Sequence, residues 1–336
     1  MPPALSVLDP SPVFEGRSAG DAFAETLALA EAADRLGYRS FWVQEHHNAA
    51  SFAGAAPEVL IPAVAARTRR IKVGSGGVML PNYSPLKVAE QFCALEALHP
   101  GRIELGLGRA TGADPRASAA LLGPGAHEFP RMLNLLLAWL LDASGEKRLP
   151  ADHPAHGIRV RPAGARPDVW MLSSSPHSAA FAGAMGLKLA FADFLAPGGA
   201  GEALTAYRAA FEPSPFASEP YAAVGLTALA ADTEAEADRL AATLYAWSAT
   251  RAGGAFAPFQ SADTAAAALA RLDPAALAPI RDRALIGTAE TIAARLSAAA
   301  EKAGADEFFI LTVAETPEAR IRSYELLAKR FALAAV

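Results

Sequence analysis

Cysteine is almost missing from this chain: Cys93 stands alone among 336 residues. One thiol builds neither a disulfide framework nor a cysteine-based metal cluster. Cys93 lies in an apolar pattern of helical spacing, so it is expected in the core. Charge of one sign is not concentrated anywhere. Thirty Lys and Arg against 35 Asp and Glu leave a formal charge of -5, with no like-charged run. This balance speaks against a nucleic-acid surface. Long apolar runs are absent as well. The most apolar stretch, residues 133–141, carries Asn134, is followed by Asp142 and is too short for a bilayer. Met1-Pro2-Pro3-Ala4-Leu5 shows no basic segment and no apolar segment of a signal peptide. No membrane association is expected, and a cytoplasmic location is the default. What is abundant is apolar: 52% of residues are hydrophobic, enough for a large core, and the many alanines suit packed helices.

Strand and helix signals alternate along the chain. Apolar runs at 5–8, 40–44, 71–75, 102–107, 169–172, 187–192, 221–230 and 307–311 read as eight strands, most bounded by Gly, Pro or Asp. Helical patterns separate them. Ser18 with Asp21 predicts the first helix start, and Gly37 predicts its end. The final helix is expected to bury Ile321, Tyr324, Ala328 and Phe331 on one face. Residues 142–167, rich in Pro, Gly and charge, are expected as loop. The helix beginning at Glu234 is expected to break at Gly253 and Gly254. An irregular insertion is expected over about 253–284. Together these features predict an α/β fold, a (β/α)8 TIM barrel with an insertion in its C-terminal half. They also predict one domain over residues 1–336, because no linker divides the chain.

Four clusters carry candidate chemistry. Phe41-Trp42-Val43 runs into Gln44-Glu45-His46-His47-Asn48, a buried strand ending in titratable side chains. Barrels place their chemistry at such strand ends, and histidine titrates near neutrality. The pair also suits a hydrogen-bonded loop or a metal site. Gly74-Ser75-Gly76-Gly77 closes the third strand, where glycines permit close approach, a bulge or unusual peptide geometry, or simply a tight turn. A cis peptide or bulge is expected at Gly76-Gly77. Gly106-Leu107-Gly108-Arg109 puts a cation at the mouth of the fourth strand, suited to phosphate or to a surface ion pair. Ser173-Ser174-Ser175 precedes a helix, as an anion site or as helix caps. The last two clusters belong to neighbouring strands, which strengthens the phosphate reading.

Several motifs resemble one family: Leu5-Ser6-Val7-Leu8-Asp9-Pro10-Ser11-Pro12, Trp42-Val43-Gln44-Glu45-His46-His47, Val73-Gly74-Ser75-Gly76-Gly77-Val78-Met79-Leu80-Pro81, Gly101-Arg102-Ile103-Glu104-Leu105-Gly106-Leu107-Gly108-Arg109 and Gly304-Ala305-Asp306-Glu307. The family is the bacterial luciferase-like flavin monooxygenases, in their single-chain branch. The resemblance implies a barrel that takes reduced FMN from a separate NAD(P)H:flavin reductase. It also implies use of dioxygen to oxidise a small organic substrate, and a homodimer. Position by position, it implies His46 as the catalytic histidine with His47 beside it. Glu45, Ser75, Gly76, Gly77, Arg109, Ser173, Ser174 and Ser175 are implied as the cofactor site. Ser173 stands where the family usually has glycine, and Ala192-Asp193-Phe194 lacks the common histidine. The alternatives are hydride transfer with FMN or a deazaflavin, and flavin binding without turnover. A metal-dependent barrel hydrolase using Glu45, His46 and His47 is a further reading. Adjacent strand histidines project to opposite faces, and no third His or Cys ligand is well placed.

Overall fold

The computed structural model describes residues 3–121, 123, 125–251 and 257–334. In chain order the elements are β1 (Ala4–Asp9), α1 (Ala19–Leu36), β2 (Ser40–Val43), α2 (Pro57–Arg67), β3 (Lys72–Met79), α3 (Pro85–Leu98), β4 (Ile103–Gly108), α4 (Pro115–Leu121), α5 (Phe129–Ser144), β5 (Asp168–Ser173), α6 (Pro176–Ala184), β6 (Lys188–Ala192), α7 (Ala200–Ala209), β7 (Ala222–Ala230), α8 (Glu234–Arg251), α9 (Ala262–Leu269), α10 (Pro274–Arg281), β8 (Leu285–Gly287), α11 (Ala289–Ala303), β9 (Glu307–Leu311) and α12 (Pro317–Arg330). Strands β1 to β7 and β9 pair in parallel, in order, and close through β6–β7 and β9–β1. This is a (β/α)8 barrel. Strand β8 pairs only with the C-terminal end of β7, at Ala228 to Ala230, outside the closed ring.

Alternation along the strands sorts their side chains into two cores. Phe41 and Val43 of β2, Val169 and Met171 of β5, and Phe308 and Ile310 of β9 pack outward against the helices. Trp42, Trp170 and Phe309, between them, fill the barrel interior. Trp42 meets Trp170 edge-on at 5.2 Å between centroids and Phe309 at 4.0 Å. Two indoles in one small barrel leave little room on β3. A Cβ at Gly74 would lie 2.7 Å from Trp42 Nε1, and one at Gly76 would lie 2.6 Å from Leu8 Cδ1.

The N-terminal end of the barrel holds a charged network that the sequence did not announce. Glu307 is buried on β9, pairs with Arg39 Nη1 at 3.1 Å and accepts hydrogen bonds from Ser6 and Tyr221. Glu104 accepts from Trp42 Nε1 at 2.7 Å, and Lys72 and Lys188 share Asp168 at 2.5 and 3.2 Å. Burial pushes the Glu307 carboxyl up to about 7; Arg39 opposes the rise and Glu104 adds to it. Between its ordinary value and about 7, folded Glu307 holds a proton that the unfolded chain has shed. This group's contribution to stability therefore falls as pH rises through that window. Urea unfolding at about pH 5 and about pH 7.5 should show that loss in the parent and not in Glu307→Gln. Equal pH dependence of the two proteins would contradict the assignment.

Two expectations need correction. The insertion is not irregular throughout. Ser261 caps α9 by accepting from Thr264 N, and Asp273 caps α10 by accepting from Ala275 N. Gly253 and Gly254 lie outside the described residues. Strand β3 does not stop at Ser75 but continues through the glycines to Met79, with a register shift between Gly76 and Val78. Helix α12 packs the expected face on the core, with Tyr324 and Ala328 buried and Ile321 and Phe331 half-buried against it, and it also buries Arg320, Ser323 and Leu327. Arg320 reaches Asp9 at the end of β1. The capping box at Ser18 and Asp21 and the left-handed Gly37 (φ 85°) fall where the sequence places them.

Candidate active site at the barrel mouth

Past Val43 the chain leaves β2 and is fastened to its neighbours. His46 N donates to Gly54 O and His47 N to Gly112 O, each at 2.8 Å. Asn48 adopts a left-handed φ of 54°, which asparagine tolerates, and its Nδ2 donates to Asp114 Oδ2 at 2.6 Å. Gly112 is also left-handed (φ 61°), and a Cβ there would press within 3.0 Å of Glu45 O. The exits of β2 and β4 are thus tied into one unit.

Glu45 lies at the centre of that unit. Its buried carboxylate accepts from Met79 N (2.9 Å), Tyr83 OH (2.9 Å) and Asn82 Nδ2 (3.3 Å), and His47 Nε2 lies 2.8 Å away. Burial raises its carboxyl above the ordinary range, against the pull of the Met79 N–H and His47. His47 is therefore engaged with Glu45. The His46 ring instead stacks on Phe52 at 4.6 Å.

The other sequence candidates divide by accessibility. The Gly76-Gly77 peptide is cis, and the bulge follows it, so both expected irregularities occur there. A Cβ at Gly77 would lie 2.6 Å from Gly106 O, so the barrel wall itself fills that space. The Ser75 hydroxyl is buried and committed to β4, donating to Gly106 O (2.9 Å) and accepting from Gly106 N (3.1 Å). Ser173 is likewise spent inside its loop, on Ser175 O and Ser178 Oγ. Ser175 caps α6. Ser174 and Arg109 are exposed, and Arg109 forms no ion pair among the described residues. Pairing of Leu107 with Met171 sets Arg109 and the serine loop on adjacent strand ends.

A cavity of about 640 Å³ opens beside this cluster. His46, His47, Met79 and Thr111 form one wall. Arg109, Gly76, Gly77 and the three serines are not among its lining residues, so the structure brings the histidines to the cavity and leaves the anion-site candidates outside its lining, with Arg109 next to the lining residue Ala110. The aromatic part of the lining, which continues from His46 through Phe52, was invisible to sequence reasoning. Trp247 of α8 stacks on Phe259 at 5.1 Å, and Phe52 meets both edge-on. Trp247 Nε1 donates to Ser51 Oγ, which donates to Ala257 O. Arg283, just before β8, completes the rim. A scarce residue such as Trp247 beside the insertion was the available signal. Among the described residues no group of three or more His, Cys, Asp or Glu is gathered as a metal-ligand set, and no helix is long and apolar enough to cross a membrane.

A closed parallel barrel with an acid–base cluster and an aromatic-walled cavity at its C-terminal mouth defines a (β/α)8 enzyme. The chain belongs to the luciferase-like monooxygenase family, whose profile matches residues 4–307, and it is accordingly an oxidoreductase. It is 41% identical to the uncharacterized protein YwcH of Bacillus subtilis (98% of this chain, 99% of the relative). It is 34% identical to the N-acetyl-S-alkylcysteine monooxygenase of the same organism (96% and 97%). Among solved structures, apo-MsnO8 superposes with TM-score 0.91 at 36% identity (100% and 99%). Two solved barrels at lower identity share the fold. One is the oxygenating constituent of 3,6-diketocamphane monooxygenase of Pseudomonas putida in complex with FMN (21%, TM-score 0.73, 99% of each chain). The other is an F420-dependent secondary alcohol dehydrogenase (17%, TM-score 0.65, 98% and 99%).

Proposed function

We propose that the chain is a monooxygenase that takes reduced FMN from a separate NAD(P)H:flavin reductase and, with dioxygen, oxidises a small organic substrate in the mouth cavity. The observation that carries this is the placement of His46 on the cavity wall, two strand exits away from an accessible Arg109 beside the Ser174-Ser175 loop. The residues fit the cofactor. A guanidinium that is exposed and without an ion pair among the described residues, the exposed Ser174 hydroxyl and the His177 N–H at the start of α6 are donors for a phosphate. The cavity volume lies in the usual range for small-molecule sites. Reduced FMN, when bound, supplies the electrons that activate dioxygen. Arg109, Ser174 and Ser175 would hold its phosphate. His46 would move a proton at the reacting atom, and Glu45 with His47 would keep the β2 exit in place. The Phe52, Trp247 and Phe259 wall would exclude water.

Similarity to an N-acetyl-S-alkylcysteine monooxygenase adds alkyl thioethers to aldehydes, ketones and aromatic compounds as substrates to test. The reading includes a cytoplasmic homodimer. Its test is an anaerobic titration with reduced FMN, read by tryptophan fluorescence. Arg109→Ala should bind about ten- to a hundredfold more weakly, the loss of one charge-assisted contact. Parent-like affinity in Arg109→Ala would remove Arg109 from the site. Binding of a reduced deazaflavin in place of FMN would move the reading to hydride transfer.

A further inference from the structure

The cavity's charges are unevenly engaged. Two carboxylates line it, Glu45 and Asp114, and both are already supplied with donors. Glu45 is held by Met79 N, Asn82, Tyr83 and His47. Asp114 accepts from Asn48 Nδ2 and from the backbone N–H groups of Arg116 and Ala117, at 2.6 to 3.0 Å. Among the described residues one arginine lines the cavity, Arg283, and no lysine does. Arg283 is exposed and forms no ion pair among the described residues, whereas its neighbour Arg281 pairs with Asp238 at 3.5 Å. Its backbone is held in a turn, where Arg283 N donates to Ile280 O and Ala284 N to Arg281 O. An apolar surface lines the same cavity, Phe52, Leu244, Trp247, Phe259, Leu311 and Val313, and Ala284 beside Arg283 packs into it.

We infer that the substrate has a compact apolar body carrying one anionic group, a carboxylate or its equivalent, and that Arg283 binds that group while the aromatic wall takes the body. A guanidinium is the side chain suited to two-pronged capture of a carboxylate, and its hold strengthens as the apolar body displaces water from the cavity. Because both cavity carboxylates are engaged by protein donors, neither calls for a cationic substrate, and Arg283 is left to set the charge preference. The inference rests on the reading of the cavity as the substrate chamber. It also competes with one specific alternative: the connection after β7 is where barrels often bind a cofactor phosphate, and Arg283 lies in it.

Calorimetric titration of the full chain with para-tert-butylbenzoate and its neutral amide tests the inference. The carboxylate should bind about tenfold or more tightly than the amide. Arg283→Gln should abolish that preference, Arg283→Lys should keep part of it, and amide binding should stay nearly unchanged in both. Circular dichroism should match the parent, since the side chain is exposed. Equal binding of the two probes by the parent, binding of neither, or a preference retained in Arg283→Gln would overturn the inference. Reduced FMN affinity, measured on the same variants, should not move. If FMN binding weakens in Arg283→Gln, Arg283 serves the cofactor phosphate, and the inference fails while the proposed function stands. If the charge preference holds but the parent binds no reduced FMN, the proposed function fails and the anion site remains.

Discussion

His46→Ala should keep its fold and its affinity for reduced FMN while losing about 10²–10⁴-fold in turnover, the usual contribution of a positioned acid–base group. The expectation follows from the division of labour between the two histidines. His47 is engaged through Nε2 with Glu45, 2.8 Å away, and helps to hold the β2 exit. His46 lines the cavity and stacks on Phe52, whose ring joins the aromatic wall. Its imidazole can accept a proton from substrate or, protonated, donate one to a departing oxygen. The loss should fall on kcat with KM little changed. His47→Ala should lose less turnover than His46→Ala. Comparable rates for His46→Ala and parent, at saturating reduced FMN, would overturn the role.

Asp9→Ala should cost about 3–5 kcal/mol of stability, the usual penalty for breaking a buried ion pair from one side. Asp9 is 1% exposed and Arg320 1% exposed, so neither charge has water to fall back on. Arg320 Nη2 reaches Asp9 Oδ1 and Nε donates to Thr312 O at 3.3 Å. The pair joins the end of the first strand to the last helix, closing the two ends of the chain onto each other. Truncating Asp9 leaves a buried guanidinium without its counter-charge. Replacing both residues, as in Asp9→Leu with Arg320→Met, should recover much of the loss, because no lone charge then remains. Urea unfolding of the single and double variants measures this. A single-variant loss below about 1 kcal/mol would mean that water or another group compensates Arg320.

Most of the barrel was readable because each of its strands is buried on both faces and so appears as an apolar run. The same logic hid what departs from it. Strand β8 is only Leu285–Gly287, too short to show a period. Helices α9 and α10 are short and alanine-rich, and their Ser261 and Asp273 caps look like loop residues until a helix is seen behind them. Asp9 read as a strand stop, and only the tertiary fold shows Arg320 to be its partner. At the site, Glu45, His46 and His47 stood out as polar residues directly after Phe41-Trp42-Val43. The destination of the Glu45 carboxylate did not, since its donors Met79, Asn82 and Tyr83 come from the next strand and its exit. The aromatic wall was least legible of all, because Phe52 and Trp247 are nearly two hundred positions apart and meet only over the closed barrel.

The central claim is oxygen transfer at this mouth using reduced FMN. It is tested most directly by supplying the protein with FMN, a flavin reductase, NADH and isotopically labelled dioxygen. Aldehydes, ketones, aromatic compounds and N-acetyl-S-alkylcysteines are offered in turn, and products are read by mass spectrometry. The expected result is a product carrying one labelled oxygen atom, formed by the parent and strongly reduced with His46→Ala. Conversion of a substrate by loss or gain of hydrogen without labelled oxygen, or conversion with a reduced deazaflavin and none with reduced FMN, would contradict it.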